Sequence, residues 1–149
     1  MDNVLREQGM VFNQIYKKIG KLHHDCALHS GLSDTAFWIL NELYTFKEPV
    51  TQSFFSETCG CVKQTVNSAV NVLVKKGYVY LEALPGARNG KVMKLTEEGE
   101  AFCRDKLIRV HEVEMRAYRR LSKEERELYF SLEKKWFSLF EEEIKKELK

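Results

Sequence analysis

Residues 61–81 of the chain read CVKQTVNSAVNVLVKKGYVYL. The stretch contains three lysines and no aspartate or glutamate, although 31% of all residues are charged and acids nearly balance bases. A solvated helix surface usually carries both signs of charge. The remaining polar side chains are neutral hydrogen-bonding groups, namely Gln64, Thr65, Asn67, Ser68 and Asn71. The missing acids suggest that this surface meets an anionic partner, and the alternative is a solvated face that lacks acids by chance.

The apolar residues of this stretch predict a helix. They recur at the spacing of one helix face, at Val62, Val66, Ala69, Val70 and Leu73. Valine has modest helix propensity, so a strand is the rival prediction, but the 3.6-residue period fits better than alternation. Gly77 supplies a C-terminal stop. We therefore predict a helix over 62–76 with its apolar side buried.

The segments around this helix predict a helix-turn-helix followed by a β-hairpin wing. Upstream, Thr51 can cap a short helix over QSFFSET, and Cys59-Gly60-Cys61 forms the turn. Downstream, the β-rich segments YVYLEAL and KVMKL flank PGARNG, which is rich in turn residues. The hairpin therefore has a basic tip.

Helices are predicted on both sides of this centre. The first, from about Asn3 to Leu28, has an apolar stripe at Phe12, Ile15, Ile19, Leu22 and Cys26. Ser33 can cap the second, DTAFWILNELYTF, whose inner face is Phe37, Leu40, Leu43 and Tyr44. The fold class is therefore mainly α with a small β-hairpin wing.

Two further helices are predicted after the wing. Thr96 can cap a single helix whose stripe runs along Cys103, Leu107, Val110 and Ala117. Ser122 and Glu125 form a capping box that opens the last helix. That helix has its stripe at Leu128, Leu132, Trp136, Leu139 and Phe140.

The chain of 149 residues is long enough for one domain or one compact subunit, and its positive charge is concentrated in the middle. The net charge of the whole chain is only +2. Residues 63–94 hold six bases against one acid, a net charge of +5, whereas residues 122–149 hold seven bases and eight acids. A local excess of this kind fits an anionic partner.

The sequence also predicts the compartment. The N-terminus MDNVLREQGM does not have the pattern of a signal peptide, and no apolar run approaches the roughly 20 residues that span a bilayer. We therefore expect a cytoplasmic protein without a membrane partner. The four cysteines, Cys26, Cys59, Cys61 and Cys103, are then expected to be reduced.

In this order of elements, the chain resembles the MarR (multiple antibiotic resistance regulator) family of winged helix-turn-helix repressors. LSDTAFWILNEL (32–43) is similar to the family's second helix. TQSFFSETCGCVKQTVNSAVNVLVKKGYV (51–79) is similar to its helix-turn-helix, and KVMKLTEEGE (91–100) to the returning wing strand and the start of the next helix. The resemblance covers nearly the whole chain in element order.

The resemblance implies a homodimeric regulator of transcription that binds double-stranded DNA. It implies a winged helix-turn-helix at 31–99 between helical dimerisation regions at 1–30 and 100–149. Dimers of this class read two half-sites about one helical turn apart, which gives a pseudo-palindromic operator. A monomeric bundle is the alternative use for the long terminal helices.

The DNA-binding residues are predicted from the exposed side of helix 62–76 and from the wing. A helix fits the major groove, where Gln and Asn can pair with adenine and Lys with guanine or phosphate. The predicted contacts are Lys63, Gln64, Thr65, Asn67, Ser68 and Asn71. In the wing, Arg88 is predicted to enter the minor groove, which attracts arginine where it is narrow. Lys91 or Lys94 is predicted to meet the phosphate backbone.

Two positions depart from the family pattern. The family usually has a capping residue where Val62 stands, and valine has no side-chain acceptor, so a cap worth about 1 kcal/mol is lost. The family wing usually carries an Asp-x-Arg tip, but residues 86–90 read GARNG without an aspartate. An internal Asp–Arg pair therefore cannot be assumed for Arg88.

A small-molecule effector is a further implication of the resemblance. The effector pocket would be lined by Ile19, His23, Phe37, Trp38 and Met115, although residues of these types at helical spacing are more often simply core. Cys59 and Cys61 can form a redox switch before the recognition helix, or simply pack as small hydrophobic groups. The cysteine and histidine spacings predict no metal site.

The sequence predicts a protein that is not an enzyme and needs no cofactor, since it contains neither a Gly-rich phosphate loop nor a nucleophile elbow. Two alternatives come from other classes. A winged-helix module for protein interaction would not need an acid-free helix face or a basic wing. A thiol redox protein using Cys59 and Cys61 would lack the C-x-x-C motif on a βαβ unit.

Overall fold

The computed structural model describes residues 3–84, 86 and 90–148. The helices are α1 (Asn3–His29), α2 (Asp34–Phe46), α3 (Gln52–Cys59), α4 (Lys63–Lys75), α5 (Glu97–Asp105), α6 (Val110–Tyr118) and α7 (Lys123–Glu147). The strands are β1 (Val50–Thr51), β2 (Val79–Ala83) and β3 (Lys91–Leu95). The chain divides into two compact units, 1–110 and 111–149. The mainly α fold with a β wing is confirmed.

Helix α2 supplies much of the core of the first unit. Ser33 caps it as predicted, since its side chain accepts a hydrogen bond from the backbone N–H of Ala36. Phe37, Leu40 and Leu43 are buried on its inner face, as the helical spacing predicted. Other large buried side chains include Ile39 of α2, Phe55 of α3, Leu73 of α4 and Met93 of β3.

The wing is part of a three-stranded antiparallel sheet in the order β1-β3-β2. Strands β2 and β3 form the predicted hairpin, with Val79 opposite Leu95 and Ala83 opposite Lys91. Strand β1 was not predicted, because its two residues are too short to show an alternating pattern. It pairs Val50 with Met93 and thereby ties the start of α3 to the wing.

Helix α4 forms where the apolar spacing predicted it, with Val66, Ala69, Val70 and Leu73 buried. Its end is fixed by Gly77, which has a left-handed φ of 76°. The backbone N–H of Gly77 donates to Val74 O and that of Tyr78 to Leu73 O, which is the Schellman arrangement. The chain therefore turns directly from α4 into β2.

The single helix predicted from Thr96 to beyond Ala117 is wrong. Helix α5 ends at Asp105 and α6 begins at Val110. Side chains that are distant in sequence accept the hydrogen bonds that the helix would have made. The backbone N–H of Ile108 donates to Ser30 Oγ at 3.5 Å, and that of Val110 donates to Asn41 Oδ1 at 3.2 Å. The apolar spacing continues through this break, so the break could not be predicted from it.

The second unit contains most of α6 and all of α7. Ser122 and Glu125 form the predicted capping box at the start of α7. Aromatic rings pack along the unit, with Tyr118 against Phe130 and Trp136 stacked on Phe140, at centroid distances of 5.1 Å each. None of the described residues of α7 is buried. No helix in the described part of the chain is long and apolar enough to cross a membrane.

Candidate nucleic-acid interface

The exposed side of α4 carries a line of polar side chains. Gln64, Ser68, Asn71 and Lys75 are spaced four, three and four residues apart, so they follow one another along the face opposite the buried residues. All four are exposed. Between Lys63 and Lys76 the sequence has no acid, so the only charged side chains of this helix are lysines at its two ends.

The remaining predicted contacts of α4 lie on either side of this line. Lys63 and Asn67 are exposed along one border, and Thr65 is exposed along the other. The structure therefore brings all six predicted residues of α4 onto one continuous exposed surface. Their contact with DNA stays a prediction.

The apolar spacing suggested that Val62 lies on the buried face of α4, but it does not. It precedes α4 as the N-cap residue, its side chain is 70% exposed, and it makes no side-chain cap hydrogen bond. The spacing was misleading because Val62 has an extended backbone before the helix, so the helical period does not set the direction of its side chain. The absence of a side-chain cap is therefore as the sequence predicted. The prediction that Val62 is buried is wrong.

The wing presents one of its two lysines freely to solvent. Lys91 is exposed at the start of β3. Lys94 donates to both carboxylate oxygens of Glu82 across the hairpin, at 3.0 and 2.9 Å. This hydrogen bond raises the pKa of Lys94 and engages its ammonium group within the wing. Arg88 lies outside the described residues, so its predicted minor-groove contact is tested only by experiment.

Sequence reasoning missed a groove beside Lys91. Thr51, Gln52 and Ser53 at the start of α3 line it together with Gly90 and Lys91, and its volume is about 450 Å³. The pairing of Thr51 with Val92 brings the helix start next to the wing. Helix N-termini and lysines both favour anions, so the groove suits a phosphate group of a backbone. The only sequence signal near this groove was Thr51, which was predicted to cap α3.

The two cysteines of the turn lie near Trp38. An open groove of about 380 Å³ is lined by these two cysteines, Trp38, Asp34, Thr35 and Phe55. Cys59 is exposed and Cys61 is half-buried. Partial burial raises the pKa of the Cys59 thiol, which lowers its thiolate fraction and its reactivity. No group of three His, Cys, Asp or Glu side chains in the described part of the chain is arranged to hold a metal.

The predicted pocket residues are only partly brought together. His23 of α1 makes an edge contact with Trp38 of α2, at 4.8 Å between ring centroids, and Trp38 in turn contacts Phe37. Phe37 is fully buried in the core, whereas Ile19 is exposed on α1. Met115 is exposed in the second unit. An effector pocket formed by these five residues stays a prediction.

Large apolar side chains are exposed along both terminal helices. On α1 they include the predicted stripe residues Phe12, Ile15, Ile19 and Leu22. On α7 they include Leu128, Leu132, Trp136, Leu139, Phe140 and Ile144. Exposed apolar surface of this extent marks an interaction site in a water-soluble protein.

These features define the class of protein as a winged helix-turn-helix protein in which the exposed face of α4 has lysines and no acid. Residues 30–88 match the model of the MarR family. The resemblance seen in the sequence, to winged-helix transcription regulators of the MarR family, is thereby confirmed. No curated protein sequence is significantly similar to the chain.

Solved structures of low sequence identity share the fold. A MarR family regulator from Neisseria meningitidis is 21% identical, with a TM-score of 0.73 over 97% of this chain and 98% of that one. MepR from Staphylococcus aureus, in a complex with DNA, is 19% identical, with a TM-score of 0.69 over 89% and 97%. S. aureus MarR, in complex with salicylate and kanamycin, is 15% identical, with a TM-score of 0.70 over 95% of both chains.

Proposed function

We propose that the protein is a sequence-specific DNA-binding transcription regulator that acts as a homodimer on a pseudo-palindromic operator. The observation that carries the proposal is the exposed face of α4, which has lysines and amides and no acid. Phosphate would repel an acid on this face, and a protein-interaction module has no reason to exclude one. The fold shared with the DNA-bound MepR adds support.

The side chains of α4 have the chemistry of base recognition. Gln64, Asn67 and Asn71 can each pair with adenine through two hydrogen bonds in the major groove. Lys63 can donate to guanine or to phosphate, and Ser68 is short enough to let the helix approach the groove. We assign base recognition to the amides and affinity to the lysines.

The wing and the groove beside it supply the proposed backbone contacts. Lys91 and the exposed start of α3 would hold one phosphate group. Arg88 at the wing tip would enter the minor groove, as the sequence predicted. Lys94 contributes less than the sequence suggested, because Glu82 already binds its ammonium group.

A second copy of the chain is the proposed cover for the exposed apolar faces of α1 and α7. In this proposal the helical regions 1–30 and 100–149 form the dimer and 31–99 binds DNA. Two copies place two recognition helices on successive major grooves, which one copy cannot do. The resemblance further supports a repressor, which would act by occupying its operator.

The proposal includes a signal that releases the protein from DNA, and this signal has two candidate forms, a small molecule or oxidation. A small molecule could bind the groove beside Trp38, in keeping with the ligand-bound S. aureus MarR of the same fold. It would act only if it binds the DNA-competent and incompetent states with different affinity. The oxidative form, through Cys59 and Cys61, has less support because the pKa of Cys59 is raised. Unchanged operator affinity after peroxide treatment would remove it.

Operator binding is expected to weaken steeply as salt is raised. A dimer that neutralises about six to eight phosphates should show a slope of roughly −5 to −7 in a plot of log K against log salt. Lys91→Gln should make the slope shallower by about 2, since each copy loses one phosphate contact. Fluorescence anisotropy with an operator selected from random duplex DNA measures both.

Lys134→Gln is the matched control, because it removes an exposed lysine of α7 whose side chain points away from the line of Leu128, Leu132 and Trp136. Its salt slope should equal that of the wild-type protein. A protein that selects no duplex at any salt concentration would contradict the proposed function.

Asn67→Ala is expected to change the sequence preference of the protein. If the amide pairs with an adenine, its loss should cost about 1–3 kcal/mol at that base pair and leave the others unchanged. Binding to the operator and to its single-base-pair variants measures the cost position by position. A uniform loss across all sequences would place Asn67 on the backbone instead.

A further inference from the structure

Val62 stands at a position where valine brings no stability. It precedes the first residue of α4, offers no cap hydrogen bond, and exposes 70% of its side chain. Among the large hydrophobic side chains in the described part of the chain, only Leu148 is more exposed. A serine or aspartate would cap the helix there, and an exposed valine buries nothing. Folding therefore gives no reason for this residue type.

The turn before α4 holds Val62 in a fixed position. Ser56 is buried, its hydroxyl donates to Cys61 O, and its carbonyl accepts from the backbone N–H groups of Gly60 and Cys61. Val62 then begins the helix, because its carbonyl accepts from the N–H of Val66 at 3.1 Å. The exposure of Val62 is thus set by a hydrogen-bonded turn on one side and a helix on the other.

We propose that Val62 recognises the methyl group of a thymine in the major groove and is a specificity-determining residue. The inference rests on the proposed DNA-binding function. The N-terminal residues of a recognition helix are those that contact base edges. Thymine alone among the four bases presents a methyl group in the major groove, and apolar side chains are what recognise it.

The neighbours of Val62 fit this assignment. Lys63 and Gln64 follow it directly and are exposed, so polar base edges or phosphates beside the thymine would meet polar side chains. The valine itself can offer only methyl groups. Contact between them and the thymine methyl removes apolar surface from water on both partners, which a serine at the same position would not achieve.

Replacement of thymine by deoxyuridine tests the proposal, because it removes only the methyl group. Each thymine of the selected operator is replaced in turn, together with its symmetry mate in the other half-site. At one such pair the wild-type protein should bind roughly tenfold more weakly, and Val62→Ala should respond by less than about twofold. Fluorescence anisotropy at fixed salt gives both ratios.

Val62→Ser separates recognition from folding. Serine restores a side-chain cap, so the melting temperature should rise by a few degrees while the response to deoxyuridine is lost. Equal responses of the wild-type protein and Val62→Ala at every thymine would overturn the inference and leave DNA binding intact. A Val62→Ser variant that keeps the wild-type response would overturn it as well. If no duplex is selected at all, the proposed function fails first.

Discussion

Leu132→Glu is expected to convert the proposed homodimer to a monomer and to weaken binding to the proposed operator by at least about 100-fold, since binding of the second half-site is lost. Leu132 is 55% exposed in the middle of α7, one helical turn from both Leu128 and Trp136. If a second copy covers this face, a carboxylate buried there without a partner opposes association strongly. Sedimentation velocity at micromolar concentration measures the oligomeric state, and anisotropy measures operator affinity.

Lys134→Gln is the matched control for this substitution. It changes the charge of α7 by the same −1, and its side chain points away from the line of Leu128, Leu132 and Trp136. The variant should remain a dimer with wild-type operator affinity. A dimeric Leu132→Glu variant would show that this face of α7 is not the interface. A monomer with unchanged affinity would show that dimerisation does not serve DNA binding.

Gly99→Ala is expected to destabilise the protein by about 3 kcal/mol or more. Gly99 is buried in the first turn of α5, and a Cβ atom added to it would lie 2.0 Å from Tyr78 O and 2.8 Å from the Tyr78 carbonyl carbon. These are backbone atoms, so no side-chain rotation relieves the clash.

The backbone cannot move aside cheaply in this region. The backbone N–H of Thr96 donates to Tyr78 O at 3.1 Å, and the Thr96 hydroxyl donates to Gly77 O. The same hydroxyl oxygen accepts from the N–H of Gly99 at 2.9 Å. Displacement of α5 would break hydrogen bonds that hold its start against the end of α4. The loss of stability would therefore extend to α4.

Gly20→Ala is expected to stabilise the protein and serves as the comparison for Gly99→Ala. Gly20 lies inside α1 with nothing within 4 Å of an added Cβ, so alanine should stabilise the helix by about 0.5–1 kcal/mol. Urea unfolding followed by circular dichroism, at one protomer concentration, measures both variants. A wild-type midpoint for Gly99→Ala would mean that α5 and Tyr78 are not as closely packed as the structure has them.

Much of the site was predictable because its signals are local. The stripe of Val66, Val70 and Leu73 determined which side of α4 is buried, and the remaining polar residues had to face outward. Thr51 and Gly77 marked the boundaries of neighbouring elements through cap chemistry within a few residues. Such signals depend on spacing along one helix, so a single sequence suffices to show them.

The groove beside Lys91 was not predictable in the same way. Thr51 and Lys91 are far apart in sequence, and strand β1 is too short to show a pattern. The ion pair of Lys94 with Glu82 likewise depends on the register of the hairpin, since the two residues come from different strands. The number of basic residues in the wing is evident from the sequence, but the sequence does not show which lysine is held in an ion pair.

The sequence by itself determined the winged-helix order, the buried side of α4 and the acid-free face opposite it. Tertiary structure alone decided where the helix after Thr96 breaks, because Ser30 and Asn41 bind the backbone N–H groups of Ile108 and Val110 from 78 and 69 residues away. It also decided that Val62 faces solvent, since none of the described elements covers its side chain. Helical periodicity reports the average environment of a face, whereas single hydrogen bonds and chain turns depend on partners that are distant in sequence.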